Sequence, residues 1–328
     1  MYAIETHELR KIFSLEQRQS GIIGAVKSLF YRKKTELEAV KGITFKIAHG
    51  EFVGFVGPNG AGKTTTLKML SGILHPTSGS AHVLGRIPWK REKDFQRRFA
   101  LVMGQKNQLW WDLPVRETFA FNKVVYEIPD AVFHKQHDTL VELLDIGRLL
   151  SVQARKLSLG ERMKCELAAA LLHKPEILFL DEPTIGLDVV SQKNIRDFLR
   201  SYNKNEKATI ILTSHYMEDI RRLCDRVMII DRGALIYDGD YRELVEKHAD
   251  TKTIEILFND VVDRNELATY GRIADFKENG CRLIVPRARV TEVTTQILKS
   301  LPVEDISIQE ETMEEIVSEL FSQNKKTS

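Results

Sequence analysis

A glycine-rich stretch, GPNGAGKT at Gly57–Thr64, carries residue types suited to holding phosphate. It follows an apolar run typical of a buried strand and precedes a helical pattern, which is the context of a phosphate-binding loop. Because glycines let the backbone wrap a phosphate chain, we expect N–H groups from Gly60 to Thr65 to face the phosphates. Lys63 is expected to reach the β- and γ-phosphates, and the Thr64 hydroxyl to bind Mg²⁺. The predicted nucleoside triphosphate site comprises Gly57, Pro58, Asn59, Gly60, Ala61, Gly62, Lys63, Thr64 and Thr65.

Two acidic residues end a second apolar run, ILFLDE at Ile177–Glu182. Asp181 is expected to coordinate Mg²⁺. Glu182 is expected to act as the general base toward the attacking water, a role commonly worth about 10²–10⁴ in rate. The next apolar run ends in TSH, where His215 is expected to reach the γ-phosphate or to hold the water and Glu182. Together these groups predict hydrolysis of the bound triphosphate.

The stretch KLSLGERMKCELAAALL, from residue 156 to residue 172, predicts the start of a helix. Ser158 and Glu161, three residues apart, form the pattern of a capping box. A Ser-x-Gly helix start, here Ser158 and Gly160, leaves free N–H groups that favour an anion. Roughly a hundred residues separate this start from the glycine-rich loop, more than a single loop spans. The stretch therefore predicts a second phosphate contact.

A sheet must bring these groups together. The runs EFVGFVG, PEILFLDEP and ATIILTSH are continuous and apolar, as in parallel strands buried on both faces with functional groups at their carboxyl ends. YAIETHEL, GITFKIAHG and SAHVLG are typical of further short strands, and RVMIIDRGALIYDG of a hairpin around Arg232 and Gly233. Apolar residues spaced three and four apart predict mostly helix from Phe95 to Leu150.

The pattern changes after about Lys247. TIEILF and CRLIVP alternate like strands of an open sheet, whereas TEVTTQILKSL and TMEEIVSELF carry helical periodicity. We therefore expect residues 1–246 to form one domain and residues 247–328 a small α+β domain.

Residues 14–38 are predicted to be an insertion between the first two strands. Within it, SGIIGAVKSLFYRKK places Ile22, Val26, Leu29 and Phe30 on one helical face, followed by basic residues. Two interpretations remain open. The segment is either a helix packed on its own domain or an interfacial helix lying on lipid headgroups or on a membrane partner.

Composition narrows the class of protein. The chain has 328 residues, a formal net charge of +2 and three cysteines. Its length suggests two domains, and its weak net charge gives no general attraction to nucleic acid, so no nucleic-acid partner is expected. Cys165, Cys224 and Cys281 share no metal-ligand spacing and are expected to be reduced thiols. We expect no signal peptide, and no run reaches the roughly 18 apolar residues of a membrane span.

The order of these motifs resembles the nucleotide-binding subunit of ATP-binding-cassette (ABC) transporters. The glycine-rich loop, Gln105 in VMGQKNQ, then LSLGE, LFLDEP, TIGLD and His215 follow one another as in that family, over about residues 1–245. The resemblance implies an α/β P-loop NTPase fold, with a RecA-like core, an antiparallel β subdomain and a helical subdomain at about residues 95–165. It implies ATP and Mg²⁺ as cofactors.

The resemblance also implies roles for residues outside the motifs described first. Gln105 would contact Mg²⁺ and sense a membrane subunit. The family stacks an aromatic ring on adenine just after its first strand. Phe13 fits this role by position, and Tyr31 is the alternative if the insertion folds back.

Two copies of the chain are implied. In this family the signature helix binds the γ-phosphate of ATP held by the opposite subunit, so Ser158 and Gly160 would complete the site of a second copy, and the pair would close head-to-tail over two ATPs. The loop that links the two sites would be Gly186, Leu187 and Asp188.

The signature departs from the usual family pattern at two positions. Leu159 stands where the family has Gly, and Glu161 stands where it has Gln. Because Ser158 and Gly160 are kept, the site is expected to work. Glu161, which lies among the nucleotide-contacting residues, places a negative charge near a triphosphate unless the capping box turns it back toward the helix start. Weakened closure of the dimer is the alternative expectation.

The finer likeness is to bacterial ATPases that serve ABC-2 type permeases, mostly exporters of drugs, lipids or polysaccharides. It implies a peripheral subunit on the cytoplasmic face of the bacterial cell membrane, partnered by an integral permease and a second copy of itself. Trp110 and Trp111 fall where the family meets its permease, so at least one is expected at that interface rather than in the core. The alternatives are an importer ATPase or a soluble ABC ATPase, although no sustained heptads indicate the long coiled coil of the latter.

Overall fold

The computed structural model describes residues 2–16, 34–214, 216–247, 251–277, 279–310 and 316–317. Two compact units divide the chain, Met1–Asp238 and Gly239–Ser328. The sequence places the division between residues 246 and 247 instead, inside the helix Tyr241–Lys247 of the second unit. The difference arises because the alternating pattern used to mark the change begins only after that helix.

The strands before residue 241 form two sheets. In chain order they are β1 (Tyr2–Glu16), β2 (Lys34–Ala48), β3 (Phe52–Val56), β4 (Ser78–Val83), β5 (Phe99–Met103), β6 (Ile177–Asp181), β7 (Thr209–Thr213), β8 (Arg226–Asp231) and β9 (Ala234–Asp240). A six-stranded sheet has the order β5-β6-β7-β3-β8-β9, and a three-stranded sheet the order β2-β1-β4.

The predicted buried parallel strands are confirmed. β3 pairs in parallel with β7 and β8, and β6 pairs in parallel with β5 and β7. Every residue of β3 and β7 is buried, which explains their continuous apolar sequences. Since all these strands run the same way, their carboxyl ends share one edge, where Asp181 lies level with Thr213 and Met103. That edge brings together residues far apart in the chain.

One part of the helical prediction is wrong. Residues 99–103 form β5, which joins the six-stranded sheet beside β6, although the sequence pattern assigns them to the mostly helical region 95–150. A five-residue apolar run fits a strand or a buried helical turn equally well, and only its pairing with β6 decides between them. The helical part therefore begins later, with the helix Val115–Val125.

The described part of the chain has seven α-helices before residue 241. They are α1 (Lys63–Leu70), α2 (Lys93–Gln96), α3 (Val115–Val125), α4 (Asp130–Leu144), α5 (Leu159–Leu171), α6 (Val189–Glu206) and α7 (Met217–Leu223). α5 buries Met163, Leu167 and Leu171, which follow one another at four-residue spacing and so lie on one face of the helix. None of the helices in the described part of the chain is both long and apolar enough to span a bilayer.

The antiparallel sheet extends further than predicted. β1 and β2 remain paired as far as Glu16 opposite Lys34, so both ends of the predicted insertion at residues 14–38 belong to a strand ladder. The helical face at residues 22–30 lies outside the described residues, and both interpretations of it stay predictions. β4 pairs antiparallel with β1 on its other side. Gly62 next to α1 lies against β2, since a Cβ on Gly62 would approach the Ala39 carbonyl oxygen to 2.5 Å.

The second unit is the α+β structure that the sequence predicts. Its elements are α8 (Tyr241–Lys247), β10 (Thr251–Phe258), α9 (Arg264–Leu267), β11 (Arg272–Lys277), β12 (Gly280–Pro286), α10 (Val290–Ser300) and β13 (Val303–Glu310). The sheet is antiparallel with the order β11-β12-β10-β13. α10 packs Val293 and Ile297 against the sheet residues Ile254 and Leu283. The last predicted helix, TMEEIVSELF, lies mostly outside the described residues.

Candidate active site

The glycine-rich loop connects β3 to α1 and depends on two glycines. Gly62 has φ 110° and forms the N-terminal boundary of α1, a conformation that residues with a side chain rarely adopt. Gly57 lies so close to β8 that a Cβ on it would be 2.2 Å from the Ile230 carbonyl oxygen, so only glycine fits there. The loop therefore lies tightly against both sheets, with the backbone N–H groups at the start of α1 unused by the helix itself.

Lys63 is buried within this loop. Its Nζ donates to the carbonyl oxygens of Gly57 at 2.5 Å and Pro58 at 3.1 Å. Burial lowers the pKa of the Lys63 ammonium, while the carboxylates of Glu182 and Asp181 act in the opposite direction. One cation and two carboxylates thus interact at the carboxyl edge of the sheet.

Asp181 ends β6 and joins this loop to the strand beside it. The Thr64 hydroxyl donates to Asp181 Oδ2 at 2.8 Å and lies 3.1 Å from Oδ1. The Thr213 hydroxyl, at the end of β7, donates to Asp181 Oδ1 at 2.8 Å. The structure therefore brings together Thr64 and Asp181, two of the three residues, with Gln105, that the sequence predicts at the Mg²⁺ site.

The arrangement suits Mg²⁺. Thr64 and Asp181 supply oxygen atoms, the ligand type this ion prefers, and one carboxylate with phosphate oxygens and water is a usual set for it. Within the described residues, no cluster of three or more His, Cys, Asp or Glu side chains forms a complete metal cage. The chain thus offers part of a coordination sphere that a triphosphate can complete.

Glu182 directly follows Asp181 and, like Lys63, is buried. Its backbone has φ 56°, in the left-handed region that a residue with a side chain occupies only when its surroundings hold it there. Its N–H lies 3.0 Å from Thr213 Oγ1 and 3.1 Å from the Thr213 carbonyl oxygen. Gln105 Nε2 donates to Glu182 Oε2 at 3.1 Å. The predicted base and the predicted sensing glutamine are therefore in direct contact.

The second predicted phosphate contact lies at the start of α5. Ser158 caps the helix, and both halves of the capping box are formed. Glu161 Oε2 accepts the Ser158 N–H at 3.1 Å and the Ser158 hydroxyl at 3.0 Å. These hydrogen bonds lower the pKa of Glu161. The carboxylate is thus turned back toward the helix start, where it stays hydrogen-bonded to Ser158, itself a predicted phosphate contact.

The start of α5 lies against the start of α6. Asp188 caps α6, with Oδ1 accepting the Ser191 N–H at 2.9 Å and Oδ2 accepting its hydroxyl at 2.6 Å. A Cβ on Gly160 would meet Ser191 Oγ at 2.4 Å, so this glycine is required for the close approach. Leu159, the departure from the family pattern, lies beside Gly186, where a Cβ would be 3.1 Å from the leucine side chain.

Some predicted residues are not brought into this arrangement by the described contacts. Phe13 lies in β1 opposite Leu37, with the Lys11 ammonium 5.2 Å from its ring centroid. Its stacking on adenine stays a prediction. Tyr31 and His215 lie outside the described residues.

Two residues that matter to the site are missed by sequence reasoning. Thr213 touches both Asp181 and Glu182 from the neighbouring strand. Gly104 directly follows β5 and approaches the backbone of Glu182. A Cβ on it would lie 2.0 Å from the Glu182 carbonyl oxygen. The available signals were a threonine at the end of a buried apolar run and a glycine directly after one, a common mark of close backbone approach.

Two family models match the chain. One, described as "ABC transporter", matches residues 40–185. The other, described as "EvrA-like ABC transporter, C-terminal domain", matches residues 250–309. The first contains the glycine-rich loop, Gln105, Ser158, Asp181 and Glu182, and the second lies in the second compact unit.

Curated relatives extend this similarity. The linearmycin resistance ATP-binding protein LnrL of Bacillus subtilis (strain 168) is 35% identical over 217 residues, which are 66% of this chain and 68% of that protein. The Nod factor export ATP-binding protein I of Burkholderia pseudomallei (strain 1710b) is 37% identical over 232 residues, 70% of this chain and 76% of that protein.

Solved structures share the fold. CbiO1 from Clostridium perfringens, described as part of the ABC transporter complex cbiONQ, matches with a TM-score of 0.60 and 26% identity over 75% of this chain and 94% of that chain. The ATP-binding cassette MJ0796, in a dimeric post-hydrolysis state bound to ADP and Pi, matches with a TM-score of 0.60 and 20% identity over 72% and 98%.

Proposed function

We propose, on the premise that this chain belongs to the family of ABC transporter ATP-binding proteins, that it is the energy-coupling ATPase of an ABC-2 type membrane exporter. One observation carries the proposal: Thr64 of the glycine-rich loop is hydrogen-bonded to Asp181, directly beside Glu182. This contact places the phosphate-binding loop beside the residue that precedes the buried base. Hydrolysis of a nucleoside triphosphate needs both phosphate-binding groups and a group that positions the attacking water.

In the proposed reaction water attacks the γ-phosphate and the β–γ phosphoanhydride bond breaks, giving ADP and phosphate. Lys63 and the N–H groups of the loop bind the phosphates. Thr64 and Asp181 would hold Mg²⁺, which when bound would supply positive charge against the phosphate oxygens. Glu182 accepts the proton of the attacking water. Gln105 donates to Glu182 and would be a further residue to contact Mg²⁺.

The second phosphate contact is proposed to serve a partner copy. Ser158 and Gly160 lie at the start of α5, beside Asp188 at the start of α6. Helix starts direct free N–H groups and a positive dipole end outward, which favours phosphate oxygens. We infer that they contact the γ-phosphate held by a second copy, so that ATP closes two chains head-to-tail. His215 is proposed to contact the γ-phosphate within its own chain.

An exporter role is supported by the relatives, whose names describe linearmycin resistance and Nod factor export. The substrate of this chain's transporter is proposed to be recognised by an integral ABC-2 permease. The chain would bind that permease as a peripheral subunit on the cytoplasmic face of the membrane. Residues 1–246 are proposed to carry the ATPase and residues 247–328 an accessory function.

ATP hydrolysis by purified wild-type, Glu182→Gln and Glu176→Gln chains tests the catalytic part. Glu182→Gln is expected to lower kcat by about 10²–10⁴, because the base is lost, while ATP still binds. Glu176→Gln is the matched control, since Glu176 precedes the other end of β6 and pairs with Arg98. Equal kcat for Glu182→Gln and the control would contradict the assignment of Glu182.

Affinity purification tests the transport part. The tagged Glu182→Gln chain, expressed from its own locus, is purified from gently solubilised membranes with ATP and Mg²⁺ present. A multi-spanning membrane protein at near-equal stoichiometry is expected. Recovery of only soluble, ATP-dependent dimers would leave the ATPase intact and contradict the exporter role. Recovery with a permease of the importer type would favour import instead.

A further inference from the structure

A completely buried carboxylate lies behind the candidate active site. Asp219, in α7, has no exposed surface. Its Oδ2 accepts the hydroxyl of Thr184 at 2.5 Å and that of Ser214 at 2.7 Å, and its Oδ1 accepts Nη1 of Arg196 at 2.8 Å. All three donors are themselves buried. We call these four residues the Asp219 cluster.

The donors come from the segments that carry the catalytic groups. Thr184 is two residues after Glu182. Ser214 directly follows Thr213, the residue whose hydroxyl contacts both Asp181 and Glu182. Arg196 belongs to α6, the helix that begins at Asp188. Asp219 therefore ties the segments that follow β6 and β7 to a helix that starts at the proposed contact with the partner copy.

Ser214 and Tyr216, which follow β7, are held by the same cluster. Ser214 Oγ accepts the N–H of Tyr216 at 3.0 Å while its hydroxyl lies 2.7 Å from Asp219 Oδ2. The residues on both sides of position 215 are thus fixed through one hydroxyl. On the β6 side, Thr184 anchors the chain just after Glu182, whose left-handed backbone needs surrounding support.

A network of this kind contributes little net free energy to the stability of a fold. A buried ion pair often contributes no more to stability than apolar side chains of similar volume, because both charges lose their hydration. What a fully bonded buried network does supply is a fixed geometry. Its position behind two catalytic segments indicates where that geometry is used.

We propose that Asp219 is a positioning residue for ATP hydrolysis, holding the segments after β6 and β7 in register through Thr184, Ser214 and Arg196. The inference rests on the proposed function of Glu182 in this site. It concerns the rate of the chemical step and not the binding of ATP, because none of the four residues belongs to the phosphate-binding loop.

Substitutions at Thr184 give the most selective test. Thr184→Val keeps the shape and removes the hydroxyl, whereas Thr184→Ser keeps the hydroxyl. With the full chain we expect Thr184→Val to lower kcat by about 10- to 100-fold, the effect of a small misplacement of reacting groups. The dissociation constant for ATP should change by less than about threefold. Thr184→Ser should recover kcat to within about threefold of wild type.

Asp219→Asn provides a second variant, and Asp238→Asn its control. Asp238 accepts two hydrogen bonds from Arg226 at 2.7 and 2.8 Å, and Arg226 begins β8, at the opposite edge of the sheet from Glu182. A fall in kcat for Asp219→Asn and Thr184→Val, but not for Asp238→Asn, supports the proposal.

Three results would overturn it. These are a kcat for Thr184→Val within threefold of wild type, an equal fall for Thr184→Ser, or a loss of ATP affinity that accounts for the fall in rate. Failure of the proposed function appears separately, because Glu182→Gln would then hydrolyse ATP like wild type. If Asp219→Asn does not fold, the Thr184 variants still test the proposal. Thr184→Val removes one hydrogen bond and no charge, and Thr184→Ser keeps the hydroxyl, so both are expected to fold.

Discussion

The Thr213 hydroxyl donates to Asp181 Oδ1 at 2.8 Å, from one parallel strand to the next. The oxygen of that hydroxyl, Thr213 Oγ1, also accepts the backbone N–H of Glu182 at 3.0 Å. One small side chain therefore orients the carboxylate proposed to hold Mg²⁺ and the backbone of the proposed base. Thr213 can reach both groups because the register of β6 and β7 pairs it with Asp181.

Replacing Thr213 by Val should slow ATP hydrolysis and weaken its activation by Mg²⁺. Loss of a hydrogen bond to a charged group corresponds to about 10- to 100-fold in rate. We expect a lower kcat and a higher Mg²⁺ concentration for half-maximal ATP hydrolysis, measured by magnesium titration at saturating ATP. Thr213→Ser, which keeps the hydroxyl, is the control. An unchanged magnesium titration for Thr213→Val would show that Asp181 needs no such support.

Glu161→Gln should strengthen ATP-dependent dimer formation. The substitution keeps an oxygen that can accept the Ser158 hydrogen bonds and removes one negative charge near the proposed position of the partner's triphosphate. In a solvated site this is worth a few-fold in affinity, about 0.5–1 kcal/mol. The dimer dissociation constant with ATP, measured by sedimentation in the Glu182→Gln background, checks it. An unchanged constant would show that the capping box already shields the charge.

Glu161→Ala separates the cap from the charge. It removes the charge and the side-chain half of the capping box, while the backbone N–H of residue 161 can still donate to Ser158 Oγ. Loss of such hydrogen bonds costs about 0.5–1.5 kcal/mol of stability. We therefore expect a lower thermal midpoint for this variant and not for Glu161→Gln. Equal midpoints for the two variants would indicate that the capping box contributes little to α5.

Glu166→Gln should change how stability depends on pH. Glu166 is buried in α5 and accepts the Gln108 N–H at 3.2 Å. Burial raises the pKa of its carboxyl from 4.5 to about 7. Because the unfolded chain loses this proton near pH 4.5 and the folded chain retains it to about pH 7, the free energy of unfolding falls as pH rises across that interval.

The variant lacks this titration. Relative to wild type, its free energy of unfolding should rise between about pH 4.5 and pH 7, by at most about 3 kcal/mol, and then level off. Denaturant unfolding at several pH values measures it. In the control, Glu176→Gln, the trend should be opposite, because Arg98 lowers the pKa of Glu176 and its contribution is lost as pH falls. Parallel curves for Glu166→Gln and wild type would contradict the prediction.

Trp110→Ala and Trp111→Ala should weaken membrane attachment without affecting the ATPase. Both side chains are about half exposed, at 46% and 49%, and the Trp110 ring lies 4.9 Å from that of Phe121. Exposed tryptophans of this kind are frequent anchors at interfaces. The amount of membrane protein recovered with the tagged chain should fall several-fold. Leu143→Ala, at an exposed apolar residue of α4, serves as control, and an equal fall for it would contradict a specific contact.

The chemistry of the site could be predicted because it depends on local sequence. A glycine-rich loop between a strand and a helix, two acids after an apolar run, and a serine three residues before a glutamate each specify their own backbone. The capping box at Ser158 and Glu161 formed as predicted because both partners lie within one helical turn.

Other features could not be predicted because they depend on pairing between distant segments. The sequence could not show that residues 99–103 join the sheet, since five apolar residues fit either kind of element until β6 lies beside them. Neither could it show that β1 and β2 continue to Glu16 and Lys34, where the side chains give no strong alternation.

The sequence by itself determined the fold class, and it predicted the groups that are proposed to do the chemistry. Tertiary structure alone decided which residues hold those groups: Thr213 against Asp181, Gln105 against Glu182, and Asp219 against Thr184 and Ser214. The physical reason is that a loop or a cap is fixed by contacts a few residues apart. A hydrogen bond between neighbouring strands depends instead on the order and register of the sheet, which no short stretch of sequence encodes.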